Sequence, residues 1–245
     1  MPKPSYLEVA VAAARRAGAI QLAGLRRPIR VNQTSAHDVK LQIDLDCEAA
    51  IRGMIRDAFP DHAILAEEGG GVIAGDVPTW IVDPLDGTVN YSRRIPFFCT
   101  SIAVRQAGEE VLGVIYAPIF GELYVAEKGG GAWLNGERIR VSEVANLSEA
   151  IIAVGCGKAE TSVIPAVDAI RELAFTARKV RILGAAALDI AYIASGRLDG
   201  YFECGLRTWD IAAATLLLRE AGGRACITPA GEHAWDVRID NGQIW

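Results

Sequence analysis

The sequence predicts an α/β chain of alternating helix and sheet layers, an α+β layered arrangement, and three patterns predict it. Two amphipathic helical stretches open the chain, short apolar runs separated by Gly and Pro follow, and a strand–helix alternation closes it.

Leu7, Val11, Ala14 and Gly18 recur every three to four residues, so Tyr6 to Leu25 reads as a helix ending before Pro28. A second helix starts near Asp44. Ile51, Met54, Ile55 and Ala58 give it an apolar stripe, and Pro60 stops it. The runs Ala63–Ala66, Trp80–Val82, Cys99–Arg105, Val111–Ala117 and Glu122–Glu127 predict strands of one sheet, with tight turns at Ala107-Gly108-Glu109 and Ile119-Phe120-Gly121. After Leu147 the expected order is strand (Ile151–Val154), helix (Ser162–Arg178), strand (Val180–Ile182), helix (Ala186–Ser195), strand (Leu198–Glu203), helix (Asp210–Ala221). No linker, repeat or low-complexity tract divides the chain. A soft boundary near residues 142–148 separates an N-terminal subdomain, 1–145, from a C-terminal one, 146–245, with a site expected where they meet.

Composition excludes several classes. The 245 residues are 51% apolar and carry 25 Lys+Arg against 30 Asp+Glu, a formal net charge of −5. That is a globular composition. Without a basic stripe, direct binding of nucleic acid is not expected, so a small anionic substrate would need metal ions or backbone amides. Five scattered cysteines without a C-x-x-C fit reduced thiols and a cytoplasmic location. The first 24 residues lack the pattern of a secretory signal, and no apolar run is long enough to span a membrane.

The most informative segment is Trp80-Ile-Val-Asp83-Pro84-Leu85-Asp86-Gly87-Thr88-Val-Asn90-Tyr91. An apolar run delivers Asp83 at a strand end, Pro84 turns the chain, and Asp86 follows. Mg²⁺ prefers oxygen ligands and keeps several waters, so two Asp with the Leu85 carbonyl between them suit it. The amides of Gly87 and Thr88 would form a nest for phosphate oxygens. A polar turn capped by Asp is the plainer explanation, but two further acidic sites weigh against it. Glu67-Glu68-Gly69 follows a short apolar strand, and Asp210 stands in Thr208-Trp209-Asp210 at the head of the last helix, where an N-cap role is the ordinary alternative.

Together these segments resemble the inositol monophosphatase family of Mg²⁺-dependent, lithium-sensitive phosphatases, and the resemblance covers nearly the whole chain. It implies the α-β-α-β-α sandwich shared with fructose-1,6-bisphosphatases. It also implies two Mg²⁺ ions, with a third, weaker one. The first would be held by Glu67, Asp83 and the Leu85 carbonyl, the second by Asp83, Asp86 and Asp210. Asp44, in the segment Asp38–Asp44, matches the upstream acid that pairs with the motif Thr, here Thr88, and can hold the third ion. Glu203 matches the acid that contacts substrate hydroxyls. Two positions depart from the family pattern: Gln33 where a Lys often stands, and Ala185 where a small hydroxyl residue is common.

The expected activity is hydrolysis of a small polyol or sugar phosphate, inositol monophosphate first, by in-line attack of a metal-activated water held by Glu67 and Thr88. Asp86, Gly87, Thr88 and Glu203 would bind substrate. Histidinol phosphate, fructose 1,6-bisphosphate and 3′-phosphoadenosine 5′-phosphate are alternatives on the same scaffold. A regulatory protein that uses this fold to bind a macromolecule is the alternative from another class. The resemblance further implies a homodimer.

Other signals carry little. Gly69-Gly70-Gly71-Val-Ile-Ala74 lacks the following helix of a dinucleotide site, and Gly157-Lys158 lacks the rest of a P-loop. His37, His62 and His233 read as surface residues, Cys156 has no His beside it in sequence, and Trp235-Asp236 repeats a motif dipeptide without its helix.

Overall fold

The computed structural model describes residues 4–34, 39–157 and 159–245; His37, Asp38 and Lys158 lie outside them. Helix α1 (Tyr6–Leu25) has the expected bounds. Its start is set by Ser5, whose hydroxyl accepts from the Glu8 amide at 3.2 Å while the Glu8 carboxylate accepts from the Ser5 amide at 2.7 Å, a reciprocal cap. A small antiparallel hairpin, β1 (Val31–Thr34) and β2 (Val39–Leu41), then leads into α2 (Gln42–Ala58).

The predicted sheet follows, with more strands than the apolar runs suggested. It comprises β3 (Ala63–Ala66), β4 (Thr79–Asp86), β5 (Cys99–Gln106), β6 (Glu109–Ala117), β7 (Glu122–Glu127), β8 (Gly131–Leu134) and β9 (Glu137–Ile139), arranged in chain order. Within this sheet only β3 and β4 pair in parallel. A short helix, α3 (Thr88–Ser92), interrupts the sequence after β4.

The second half contributes β10 (Ile151–Val154), α4 (Glu160–Thr176), β11 (Lys179–Arg181), α5 (Ala186–Ala194), β12 (Gly200–Arg207), α6 (Thr208–Glu220), β13 (Arg224–Gly231) and β14 (Ala234–Asp240). Its strands form a second sheet in the order β11-β10-β12-β14-β13.

Side-chain alternation along β4 explains the layering, because successive residues point to opposite faces of a strand. Trp80 and Val82 pack with Val9, Ala13, Ile51 and Ile55 of α1 and α2. Ile81 points the other way, into a core with Leu188 of α5 and Ile211 and Leu217 of α6. That core also takes Tyr201 and Val237 from the second sheet. Helix α4 covers the far side, where Ala166 and Leu173 meet Ile152, Val154 and Phe202.

The five layers therefore read α-β-α-β-α, as the family resemblance implies. Helix α6 lies in the middle layer and is buried from Ile211 to Leu218, as expected for a helix apolar on all sides. It approaches β6 closely because residue 113 is Gly: a Cβ there would meet the Ala213 carbonyl oxygen at 2.6 Å. Both halves thus share one core rather than packing as independent bodies.

Candidate active site

Asp83 and Asp86 lie within β4, not beyond it, and Pro84 bends the strand without ending it. Asp83 pairs with Ser101 and Asp86 with Cys99, so three steps along β4 oppose two along β5. This is a β-bulge. In a regular strand, residues three apart face opposite sides; the extra residue restores the phase and turns both carboxylates toward the α5/α6 layer. The bulge is pinned from behind. Pro84 O accepts from Gln21 Nε2 at 2.9 Å and Thr100 Oγ1 at 3.0 Å, and Leu85 N donates to Asp83 Oδ1 at 2.9 Å.

Gly87 follows with φ 90°, and a Cβ at that position would meet the Phe97 carbonyl oxygen at 2.9 Å. Only Gly suits both constraints. Thr88 opens α3 and donates its hydroxyl to Leu85 O at 2.9 Å. The rest of the motif is structural: Asn90 Nδ2 reaches Phe97 O at 2.9 Å and Leu183 O at 2.7 Å, and Tyr91 Oη donates to Gln21 O at 2.7 Å. Asn90 thereby ties the motif to the segment leading into α5.

The turn after β3 carries Glu67 and Glu68. Its organiser is Glu48 on α2, whose carboxylate accepts from the amides of Glu68 at 2.8 Å and Gly69 at 2.9 Å and is held by Arg52 at 2.7 Å. Glu68 pairs with Lys40 at 2.9 Å, and the Glu67 carboxylate acts on Asp83 and Asp210. Gln21 and Glu48 carry no signal singled out above, and Asn90 stands in the motif without an assigned role there. Glu48 had a legible signal, since it follows Asp44 by four residues and precedes Arg52 by four on one helix face.

Helix N-termini supply the rest. Asp44 is the third residue of α2 and accepts from the Leu41 amide at 2.8 Å. Asp210 is likewise the third residue of α6, not its N-cap, and accepts from the Arg207 amide at 2.7 Å. Asp86 accepts from the amides of Ala186 at 3.2 Å and Ala187 at 2.8 Å, so it caps α5 from another element. This accounts for Ala185, the N-cap position of α5, which makes no side-chain cap of its own. Each helix start presents roughly half a positive charge, a partial offset for acids crowded together.

The offset is incomplete. Burial pushes the Asp83 carboxyl well above its ordinary value, with Glu67, Asp86 and Asp210 adding repulsion. Burial likewise raises Asp210, again with Glu67 and Asp86 contributing. Asp86 is pushed up to about 6 by burial, against the pull of the α5 amides. Asp44 is pushed up to about 8, first by burial and then by Glu67 and Glu68, while the Leu41 amide and the Thr88 hydroxyl oppose the rise. Asp44 Oδ1 is buried with no hydrogen-bond partner among the described residues.

These are the electrostatics of a site that suits a cation. The donors are all oxygen, which selects hard ions. Among the described residues, no three His, Cys, Asp or Glu side chains are close enough to enclose an ion by themselves. A hard ion here would therefore be shared between a few carboxylates, a carbonyl and water, as Mg²⁺ sites usually are.

Glu203 lies on β12 and is tied to Tyr201, whose hydroxyl donates to its Oε2. It abuts Gly155, where any Cβ would collide with the Glu203 carboxylate, and it contributes to the raised values of Asp189 and Asp210. Glu203 is thus within electrostatic reach of the acidic cluster, on a strand of the second sheet.

Elsewhere the expectations change in detail. His62 is half-buried, accepts from Trp80 Nε1 at 3.1 Å and stacks on Phe59, so it packs rather than lying free on the surface. Trp235 and Asp236 brace the start of α6 through Thr208 and the Gly205 amide. All five cysteines are free thiols. No helix among the described residues is long and apolar enough to cross a membrane.

The chain matches the model described as the inositol monophosphatase family over residues 3–241. It is 42% identical over 221 residues to the Nus factor SuhB of Escherichia coli K12, covering 89% of this chain and 83% of that protein. The extragenic suppressor protein SuhB of Bartonella henselae superposes with a TM-score of 0.90 at 36% identity, covering 97% of this chain and 94% of the other. The IMPase of Thermotoga maritima gives 0.88 at 35% identity, covering 97% and 92%. With the family model matching nearly the whole length and relatives at 42% identity over most of both chains, the chain belongs to the inositol monophosphatase family.

Proposed function

We propose that this chain is a Mg²⁺-dependent phosphoric monoester hydrolase acting on a small polyol or sugar phosphate, with inositol monophosphate the first candidate. The observation that carries this reading is the mutual repulsion of Glu67, Asp83, Asp86 and Asp210, drawn from both subdomains to one place. By the family resemblance, Glu67, Asp83 and the Leu85 carbonyl would hold one Mg²⁺, Asp83, Asp86 and Asp210 a second once an ion draws the three carboxylates closer than they stand here, and Asp44 a weaker third. Bound ions supply charge stabilisation to the phosphoryl oxygens and acidify water.

The chain's own groups do the positioning. The amides of Gly87 and Thr88 receive phosphate oxygens at the left-handed turn. The Thr88 hydroxyl commits its proton to Leu85 O, or to the neighbouring Asp44, so its lone pairs face an incoming water. Glu67 would hold that water and take its proton, the role that the family resemblance gives it. Attack in line with the leaving alkoxide needs no phosphorylated residue, and orientation with electrostatics carries most of such a reaction. Glu203, kept in place by Tyr201, accepts hydrogen bonds from substrate hydroxyls.

A phosphate-release screen tests this reading. The panel is inositol 1-phosphate, histidinol phosphate, fructose 1,6-bisphosphate, 3′-phosphoadenosine 5′-phosphate and p-nitrophenyl phosphate, each with Mg²⁺ and with EDTA. Release that requires Mg²⁺ and favours one polyol phosphate supports it. Metal-independent release, or none on any ester, contradicts it. Inhibition by Li⁺ and a dimer by light scattering are the accompanying expectations.

A second reading, a regulatory protein that binds a macromolecule, is favoured by one observation: relatives at 42% identity carry the name Nus factor SuhB. Size-exclusion of a lysate, with phosphate release measured on the same fractions, separates the two. Activity in a low-mass peak supports the enzyme, and an inactive high-mass complex supports the regulator.

A further inference from the structure

We propose that this chain has a second ligand site, for a sugar or polyol phosphate, in the cavity between the C-terminal end of α1 and the start of α2. The cavity measures about 480 Å³, and its lining includes Arg27, Ile29, Arg30, Gln42, Asp46 and Tyr91. That volume suits a small metabolite and exceeds what a bare phosphate ion fills.

The lining carries two arginines, Arg27 and Arg30, and one acid, Asp46. Among the described residues, none of Arg26, Arg27, Arg30, Arg93 and Arg94 forms an ion pair. Arg94 is also held in the left-handed conformation, φ 57°, just beyond α3, a position that ordinarily favours Gly or Asn. Its guanidinium donates to Arg27 O at 3.2 Å, which fastens the two arginine-bearing segments together. The expectation drawn from net charge, that no basic face exists, therefore fails locally: the fold gathers arginines that are far apart in sequence.

The lining selects the ligand. The guanidinium groups of Arg27 and Arg30 suit the oxygens of a phosphate dianion. Asp46 stands in the same cavity, positioned by Gln42 Nε2 at 2.9 Å; it repels a plain anion and accepts from a hydroxyl. Ile29 and Tyr91 offer the apolar wall against which the carbon face of a sugar ring packs. A phosphate ester with hydroxyls satisfies all three, and inorganic phosphate satisfies one.

The site also touches the catalytic turn. Tyr91 donates its amide to Gly87 O at 2.9 Å, and Gln42 lies two residues before Asp44. The binding claim stands without the phosphatase reading, and the experiment keeps them apart. Glucose 6-phosphate, glucose and inorganic phosphate are titrated calorimetrically into the full chain in EDTA, where the metal-free acids repel any dianion. Saturable binding of glucose 6-phosphate is expected, at least about tenfold tighter than either fragment. Arg27→Ala/Arg30→Ala should weaken it about tenfold or more at unchanged Tm and unchanged Mg²⁺-dependent turnover of p-nitrophenyl phosphate, whereas Asp83→Asn should bind as the parent does. Absence of saturable binding, equal affinity in the double variant, or loss in Asp83→Asn would overturn the proposal. So would a single-stranded RNA that outcompetes glucose 6-phosphate with steep salt dependence, which would make the arginines a polyanion face.

Discussion

Asp44→Asn probes the electrostatics of the acidic cluster directly, because it replaces a buried carboxyl with a neutral side chain of the same shape. Asp44 is 2% exposed, and burial, with Glu67 and Glu68 behind it, lifts its carboxyl from an ordinary 3.8 to about 8. A folded-state value above the unfolded one means that the charged form opposes folding. The penalty is absent below the unfolded value, grows as pH rises through the interval, and is complete above about 8. At about 1.36 kcal/mol per pH unit it reaches roughly 4 kcal/mol at neutral pH. The Asn amide oxygen can still accept from the Leu41 amide, so the cap that Asp44 makes at 2.8 Å survives. Urea unfolding in EDTA, followed by circular dichroism, should find the variant more stable than the parent at pH 8 by several kcal/mol. The gap should shrink by roughly 3–4 kcal/mol at pH 5. Saturating Mg²⁺ should narrow it, because a cation offsets the carboxylate charge. A variant no more stable than the parent in EDTA at pH 8, or a gap that ignores pH, would refute this account of the cluster.

Other variants separate the roles of neighbouring groups. Thr88→Ala should lower kcat by about 10²–10⁴-fold while phosphate still binds; a turnover near that of the parent would move water positioning to Glu67 alone. Gly87→Ala forces a side chain onto φ 90° and against Phe97 O at 2.9 Å, so both Tm and phosphate affinity should fall, and a variant with unchanged affinity would mean that the turn does not hold phosphate. Glu203→Ala should cost a polyol phosphate roughly ten- to hundredfold in kcat/KM and leave p-nitrophenyl phosphate nearly untouched; equal losses would place Glu203 in support of the fold.

Much of this arrangement was legible because its signals are local. Tyr6–Leu25 carries an apolar repeat and a terminating Pro28, and the helix has those bounds. Asp83, Asp86 and Asp210 were singled out by motif and spacing, and the fold brings them, with Glu67, within electrostatic reach of one another. What escaped is what tertiary contacts decide. The bulge between Asp83 and Asp86 depends on pairing with Ser101 and Cys99, some fifteen residues away, and from sequence alone Pro84 reads as the end of a strand. The strand Arg224–Gly231 contains Pro229 and polar residues, which is acceptable because β13 is the edge of its sheet. The hairpin of β8 and β9 was within reach: Asn135-Gly136, with φ 51° and 85°, is a two-residue turn of the kind that favours Asn-Gly. The arginine face escaped because it joins residues near 27 to residues near 94, and a net charge says nothing about such placement.

Titration of Mg²⁺ into the full chain tests the central claim most directly, that acids from both subdomains meet to hold divalent cations. The parent protein should bind Mg²⁺ saturably at its strongest site, and Asp83→Asn, which strikes the carboxylate shared by both ions, should lose that binding while remaining folded. Asp210→Asn should weaken the binding from the opposite wall. Mg²⁺ affinity that is the same in the parent and in Asp83→Asn would contradict the account.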